Sequence, residues 1–284
     1  MSRQDERLER HHRMRTAFLA VLVAIAVAGC QTKPATPAQP PAPQGPQIQP
    51  APQVQLQQDP VTPRQRAEIH TELAAGYFER AQLNVALEEL GVAERIDPTY
   101  ASIYNLYGLV YTMLEDAPRA EQQFKRALEL APGDPEARHN WGWYLCTHGR
   151  ERESIAEFEV AIRSPLYRTP EVALVNAGKC SAAIGDVAAA DQYFRRALQV
   201  RPNDPGAAYN LALLSYKGGR LPESRALMKV VVQQNTPGPE ALFLGMCIER
   251  KLGDRGAEQS YVAQLRNRYP DSAETRAIAG SACE

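Results

Sequence analysis

Five cysteines carry the most specific chemistry in this chain, and they do not form one set. Cys30 closes an apolar run from Thr16 to Ala28 that follows Arg13 and Arg15, with Val27, Ala28 and Gly29 directly before it. A basic start, a short apolar stretch and small residues before a cut are the marks of a secretory signal peptide. A cysteine left at the new N-terminus offers a thiol and an amino group, both able to accept acyl chains. The run is too short for a membrane-spanning helix, which needs roughly 20 residues. A core helix or an ordinary signal peptide is the plainer reading of the same residues. Asp5, Glu6 and Glu9 are unusual ahead of a signal peptide, and Met14, followed by Arg15, is an alternative start to Met1. The other four cysteines, Cys146, Cys180, Cys247 and Cys283, lack Cys-x-x-Cys spacing. In an exported protein they are candidates for disulfides, which persist in oxidising compartments.

Other reactive patterns are missing. The chain has no His-Glu-x-x-His, no Cys-x-x-Cys and no glycine-rich phosphate loop. His70, His139 and His148 are not spaced as metal ligands, and acidic pairs such as Glu88-Glu89 read as solvated helix faces. The net charge is −1, and removing residues 1–29 takes away five basic and three acidic residues, leaving 27 against 30. Such a balance offers no basic surplus for nucleic acid. These observations point away from an enzyme, from a cofactor and from a metal site, and toward a protein that acts by binding.

The elements that position these residues divide the chain into three. Residues 1–29 are the expected signal peptide, and the small-small-Cys ending resembles a bacterial lipobox, which implies a lipid on Cys30 and a domain held at a membrane. Between 31 and 63 the chain is Pro, Gln and Ala, with ten prolines. That composition cannot bury enough apolar surface to offset chain entropy. Extended polyproline geometry, at roughly 3.1 Å per residue, would let it reach on the order of 100 Å. It is expected to be a disordered tether, with a proline-rich recognition ligand as the alternative. Gln31 rather than Asp after Cys30 favours, by resemblance to enterobacterial sorting, the outer membrane with the domain facing the periplasm.

Residues 64–284 repeat themselves at a period of about 34. One unit reads Tyr104, Tyr107-Gly108, Tyr111, Ala120, Phe124, Ala127, Pro132; another reads Trp141-Gly142, Leu145, Phe158, Ala161. The connection Ser164–Pro170 shifts the frame by two, and the next unit reads Ala177-Gly178, Ala190, Phe194, Ala197, Pro202. Each unit holds two stretches of helical apolar period, small residues where two helices must approach, and a proline that stops the second helix. The pattern resembles a tetratricopeptide repeat array: an all-α superhelix of about six helix-turn-helix units, near 67–100, 101–134, 135–170, 171–204, 205–237 and 238–271. A capping helix is expected over 272–280 with Ser272 as its N-cap.

That resemblance implies where a partner would lie, because first helices of such repeats line the concave face. Repeat positions 2, 5, 9, 12 and 13 correspond here to Phe78, to Asn105, Leu109, Thr112 and Met113, to His139 and Trp143, to Val175, and to Tyr209, Leu213 and Tyr216. The set is apolar and aromatic for a surface that meets solvent, as partner-binding patches are. The alternative is a tight superhelix in which they are merely packed. Cys146 and Cys180 fall on the first helices of adjacent repeats, so a Cys146–Cys180 disulfide is expected. The alternative is two small buried hydrophobes. Cys247 and Cys283 are a second possible pair.

One segment is more specific. His139-Asn140-Trp141-Gly142-Trp143-Tyr144-Leu145-Cys146 leads through Ser164-Pro165-Leu166-Tyr167-Arg168-Thr169-Pro170 to Val175-Asn176-Ala177-Gly178-Lys179-Cys180. This resembles the PilF/PilW family of type IV pilus biogenesis and stability lipoproteins. The resemblance implies a pilotin: an outer-membrane lipoprotein whose groove holds the subunit of the pilus secretin and promotes its placement and oligomerisation. Other pilus envelope components are possible further partners. A lipid-anchored scaffold for peptidoglycan or other envelope enzymes is the competing reading.

Overall fold

The computed structural model describes residues 61–233, 236–280 and 283. All of them belong to the second of two units into which the chain divides, Gln57–Glu284. Cys30, the signal segment and nearly all of the proline-rich stretch lie outside the described residues.

The described residues form helices only, in agreement with the all-α expectation. Six antiparallel pairs follow in order: α1 (Pro63–Glu79) with α2 (Leu83–Ile96), α3 (Ala101–Met113) with α4 (Ala117–Leu130), α5 (Pro135–Thr147) with α6 (Glu151–Arg163), α7 (Pro170–Ala183) with α8 (Val187–Val200), α9 (Pro205–Lys217) with α10 (Leu221–Val232), and α11 (Pro239–Leu252) with α12 (Arg255–Arg268). A short α13 (Ala273–Ala277) ends the array, with the Ser272 side chain accepting from the Thr275 N–H as an N-cap should.

The turn inside each pair is set by one residue in the left-handed region. These residues are Ala81, Glu115, Gly149, Gly185, Gly219 and Gly253. Four are glycine, which adopts a positive φ without a Cβ penalty; Ala81 and Glu115 pay roughly 1 kcal/mol or more each for it. The 36-residue step from Gly149 to Gly185, against 34 elsewhere, is the frame shift at the Ser164–Pro170 connection. Aspartates cap many of the helices that follow turns: Asp116, Asp134, Asp186, Asp204 and Asp254 each accept a backbone N–H at a helix start.

Within each pair one contact recurs sixteen residues apart, and its two sides are matched in volume. Gly108 faces Phe124, Gly142 faces Phe158, Gly178 faces Phe194 and Gly245 faces Tyr261. A Cβ on Gly178 would lie 2.5 Å from the Phe194 ring, and one on Gly108 would lie 2.6 Å from Phe124. Where the small residue is alanine, at Ala74 and Ala212, the residue sixteen further on is not aromatic: it is Leu90 or Met228. The three phenylalanines are essentially fully buried, each contributing about 1.5–3 kcal/mol of transfer free energy.

Between pairs the packing is asymmetric. First helices touch the next first helix, and each second helix from α2 to α10 touches the first helix that follows. Among the described residues, successive second helices do not approach closely at the backbone and are bridged by side-chain ion pairs, Arg196 with Glu159 at 3.1 Å and Arg195 with Glu223 at 2.5 Å. This lines the first helices along one face. Two covalent links reinforce it. Cys146 on α5 joins Cys180 on α7, with Cα atoms 5.9 Å apart, and Cys247 on α11 joins Cys283 in the C-terminal tail, at 5.2 Å. The tail covers the open end of the last repeat: Ile278 and Cys283 pack on Leu242, Met246 and Leu265, and Arg250 donates to the Ile278 carbonyl at 3.1 Å.

The two extra residues of the 164–169 connection bring Tyr167 into the core beside Phe158 and Ala177. Its hydroxyl meets His139 Nδ1 at 2.8 Å, and the His139 ring packs on Phe158 with centroids 5.4 Å apart. Burial pushes the His139 pKa down from 6.5 to about 4, so the ring is neutral at pH 7.

Two outcomes are expected. Gly178→Ala should lose about 1–3 kcal/mol of stability by overpacking, and Gly178→Ala/Phe194→Met should recover most of it, because Ala212 with Met228 already solves the same site. Urea unfolding of the single and double variants measures the coupling; simple additivity would contradict the volume-matching account. The second concerns acid. The folded-state pKa of His139 lies below its unfolded value, so between pH 6.5 and about 4 the unfolded chain takes up a proton that the native state refuses. Its contribution is complete above pH 6.5 and should fall as pH drops through that window, by on the order of 3 kcal/mol. His139→Gln should flatten this limb of the stability-against-pH curve.

Candidate protein-binding groove

The face lined by α3, α5, α7, α9 and α11 carries most of the expected groove residues. Trp143 on α5 and Met113 on α3 are exposed, at 36% and 49%. Phe78, Asn105, Leu109, Thr112, His139, Tyr209, Leu213 and Tyr216 are half-buried. Val175 departs from expectation. It is 8% exposed and packs in the core with Leu174, Phe194 and Leu211, because α9 closes over that side of α7. It offers no surface to a partner.

Several of the polar groove residues are already used within the protein. Asn140 donates to Asn105 Oδ1 at 3.1 Å, a bridge between repeats two and three. Asn176 approaches His139 Nε2 at 3.5 Å and ties repeat four to repeat three. The Thr112 hydroxyl turns back to the Gly108 carbonyl at 2.7 Å. The asparagines therefore serve repeat packing, and His139 belongs to the junction around Tyr167 as much as to the surface.

Two hollows remain open along this face. The first, about 250 Å³, lies over the α5–α7 disulfide and is lined by Trp143, Thr147, Phe158, Asn176 and Lys179 together with both bridged cysteines. The second, about 260 Å³, lies between α9 and α11, with Tyr209, Leu213, Tyr216, Lys217, Phe243 and Leu244 on its walls and Glu240 and Glu274 at its rim. Burial raises the Tyr209 pKa, and the Glu240 and Glu274 carboxylates push it the same way. Phe243 and Glu240 were not among the expected groove residues. The positional rule applied to repeat six gives Leu242, which is fully buried, and misses Phe243, which stands one position later, where repeats three to five carry Asn140, Asn176 and Asn210. Glu274 comes from α13 and answers to no repeat rule.

A third hollow, about 450 Å³, lies between α10, α11 and α12. Its main charged groups satisfy each other: Arg225 pairs with the buried Glu249 and reaches Asp254 at 2.8 Å. Among the described residues no group of three or more His, Cys, Asp or Glu side chains is arranged to hold a metal. The open surface on the first-helix face is therefore a pair of apolar-floored hollows with charged rims, suited to side chains of a bound polypeptide.

The chain is similar to proteins of known role over this whole array. The family model described as tetratricopeptide repeat matches residues 67–135 and 172–239. The type IV pilus assembly protein PilF of Pseudomonas aeruginosa is 26% identical over 207 residues, covering 73% of this chain and 82% of that protein. The crystal structure of PilW, a widely conserved type IV pilus biogenesis factor, superposes with a TM-score of 0.69 at 30% identity, covering 75% of this chain and 98% of PilW. The structure of Pseudomonas aeruginosa PilF gives a TM-score of 0.70 at 25% identity, with 75% and 96% of the two chains covered. With 30% identity over 98% of PilW, the chain belongs to the PilF/PilW family of tetratricopeptide proteins of type IV pilus biogenesis.

Proposed function

We propose that this protein is an outer-membrane pilotin: a lipid-anchored adaptor that holds the secretin subunit of the type IV pilus in its groove and promotes secretin placement and assembly. The observation that carries the reading is membership of a pilus-biogenesis family combined with an open first-helix face floored by Trp143, Tyr209, Leu213 and Phe243. Homology supports the pilus role; the secretin, the lipid and the membrane are the proposal's own steps. The signal at Val27–Cys30 supplies the anchor. Acyl chains contribute about 0.8 kcal/mol per buried methylene, and stable attachment needs more than one chain, which a modified N-terminal cysteine provides. An array of stacked repeats suits the task because it presents a long rigid surface without any chemistry of its own.

Cells lacking the protein should lose the high-mass secretin multimer on an unheated immunoblot, and the intact gene should restore it. Cys30→Ala should restore multimers only in the wrong membrane. Leu213→Asp should be exported and folded yet fail to capture secretin. Multimers unchanged in amount and place after deletion would overturn the proposal and favour an envelope-enzyme scaffold.

A further inference from the structure

The lysines of this domain are distributed unlike its arginines. Five fall among the described residues: Lys125, Lys179, Lys217, Lys229 and Lys251. Lys125 pairs with Glu121 at 2.7 Å on α4, and Lys229 lines the hollow away from the groove. The remaining three sit on successive first helices, α7, α9 and α11, all exposed and, among the described residues, none with a carboxylate in ion-pair range. The arginines on the groove's first helices behave differently. Arg138 on α5 is held by Glu157 at 2.6 Å and Arg250 on α11 by Glu258 at 2.7 Å.

Two of these ammonium groups line the two hollows, and the third stands against a ring that forms a wall of one of them. Lys179 lines the one at Trp143. Lys217 lines the one at Leu213 and Phe243, and Lys251 lies 4.6 Å from the centroid of the Tyr216 ring, which forms a wall of the same hollow. Among the described residues the carboxylates in that hollow's lining are Glu240 and Glu274, both close enough to Tyr209 to raise its pKa. Along α11, Glu240 and Lys251 are about 16 Å apart at 1.5 Å per residue. The groove is therefore acidic at one edge and basic at the other, and the basic edge continues onto α7. Helix dipoles favour cations near C-termini, which accounts for lysine at 217 and 251. They do not account for Lys179, a full turn before the end of α7, where it lines a hollow that holds no carboxylate among the described residues.

We propose that the groove of repeats four to six recognises an acidic segment of its partner, whose carboxylates meet Lys179, Lys217 and Lys251 while its apolar side chains enter the hollows at Trp143 and Leu213. The proposal rests on the groove being the partner surface. Rim charges of this kind govern association rate and salt dependence, and the apolar hollows hold the complex once formed.

The test uses the purified full chain and two soluble synthetic peptides. One alternates Glu with Leu and Tyr; the other carries Lys in place of every Glu. Binding is read by calorimetry and by the fluorescence of the tryptophan pair. The acidic peptide should bind with an affinity that falls as salt rises, and the basic one should not bind. Lys179→Glu/Lys217→Glu/Lys251→Glu, folded by circular dichroism, should weaken the acidic peptide about tenfold or more, and the corresponding Gln variant should do so less. Equal binding of both peptides, or undiminished binding by the triple Glu variant, would overturn the proposal. Capture of purified secretin by the same variants separates the two readings. If Leu213→Asp abolishes capture and the triple Glu variant does not, the groove stands and the acidic-segment proposal falls. If neither variant changes capture while secretin still binds, the groove reading itself fails.

Discussion

Every repeat of this protein depends on one steric contact, the meeting of a small residue on the first helix with a large one sixteen positions later on the second. At Gly178 and Phe194 there is no room for even a methyl group. The approach brings the helices close enough to bury alanines on the second helices, Ala86, Ala120 and Ala190 among them. Side-chain volume, not identity, is conserved around the contact: alanine is paired with Leu90 or Met228, glycine with an aromatic ring. A close-packed interior explains why, since added methylenes and voids are both unfavourable. Six pairs built this way have nearly the same shape, and units of nearly the same shape stack into a regular array.

Regular stacking then decides which groups face outward. Second helices keep their backbones apart and meet only through long charged side chains, while first helices pack directly on one another, so first helices gather on one side and their outward positions become a continuous surface. The array departs from regularity at the Ser164–Pro170 connection, and the protein uses the departure. Tyr167 enters the core, binds His139, and with the Cys146–Cys180 link locks repeats three and four into a fixed relation. The two hollows lie on either side of α7's contact with α9, so their spacing is set by these junctions rather than by any single residue.

The functional chemistry of such a surface is recognition, and its family membership places that recognition in pilus biogenesis. Apolar floors at Trp143 and Leu213 give a bound segment somewhere to bury side chains. Paired arginines stiffen the repeats, whereas the lysines on α7, α9 and α11 keep their charge available. That division follows from the side chains themselves: a planar guanidinium holds two acceptors in fixed geometry, while an ammonium on a flexible stem suits a transient contact.

The fold was legible from the sequence because its determinants are local and repeated: glycine or alanine where two helices approach, apolar residues at helical period, and a proline that stops the second helix; the left-handed residues at Ala81 and Glu115 were not. The 34-residue period and its shift by two could be read without coordinates, and so could the adjacency of Cys146 and Cys180. What the tertiary structure alone decided is which side chains of the first helices stay open. Val175 has the same repeat register as surface positions elsewhere, yet α9 covers it. His139 occupies a groove position, yet Tyr167 arrives from an irregular connection and ties up its Nδ1. Phe243, Glu240 and Glu274 became part of the second hollow only when α11 and the C-terminal cap were laid beside α9. Exposure depends on neighbours distant in sequence and on connections that break the repeat, and a periodic pattern records neither.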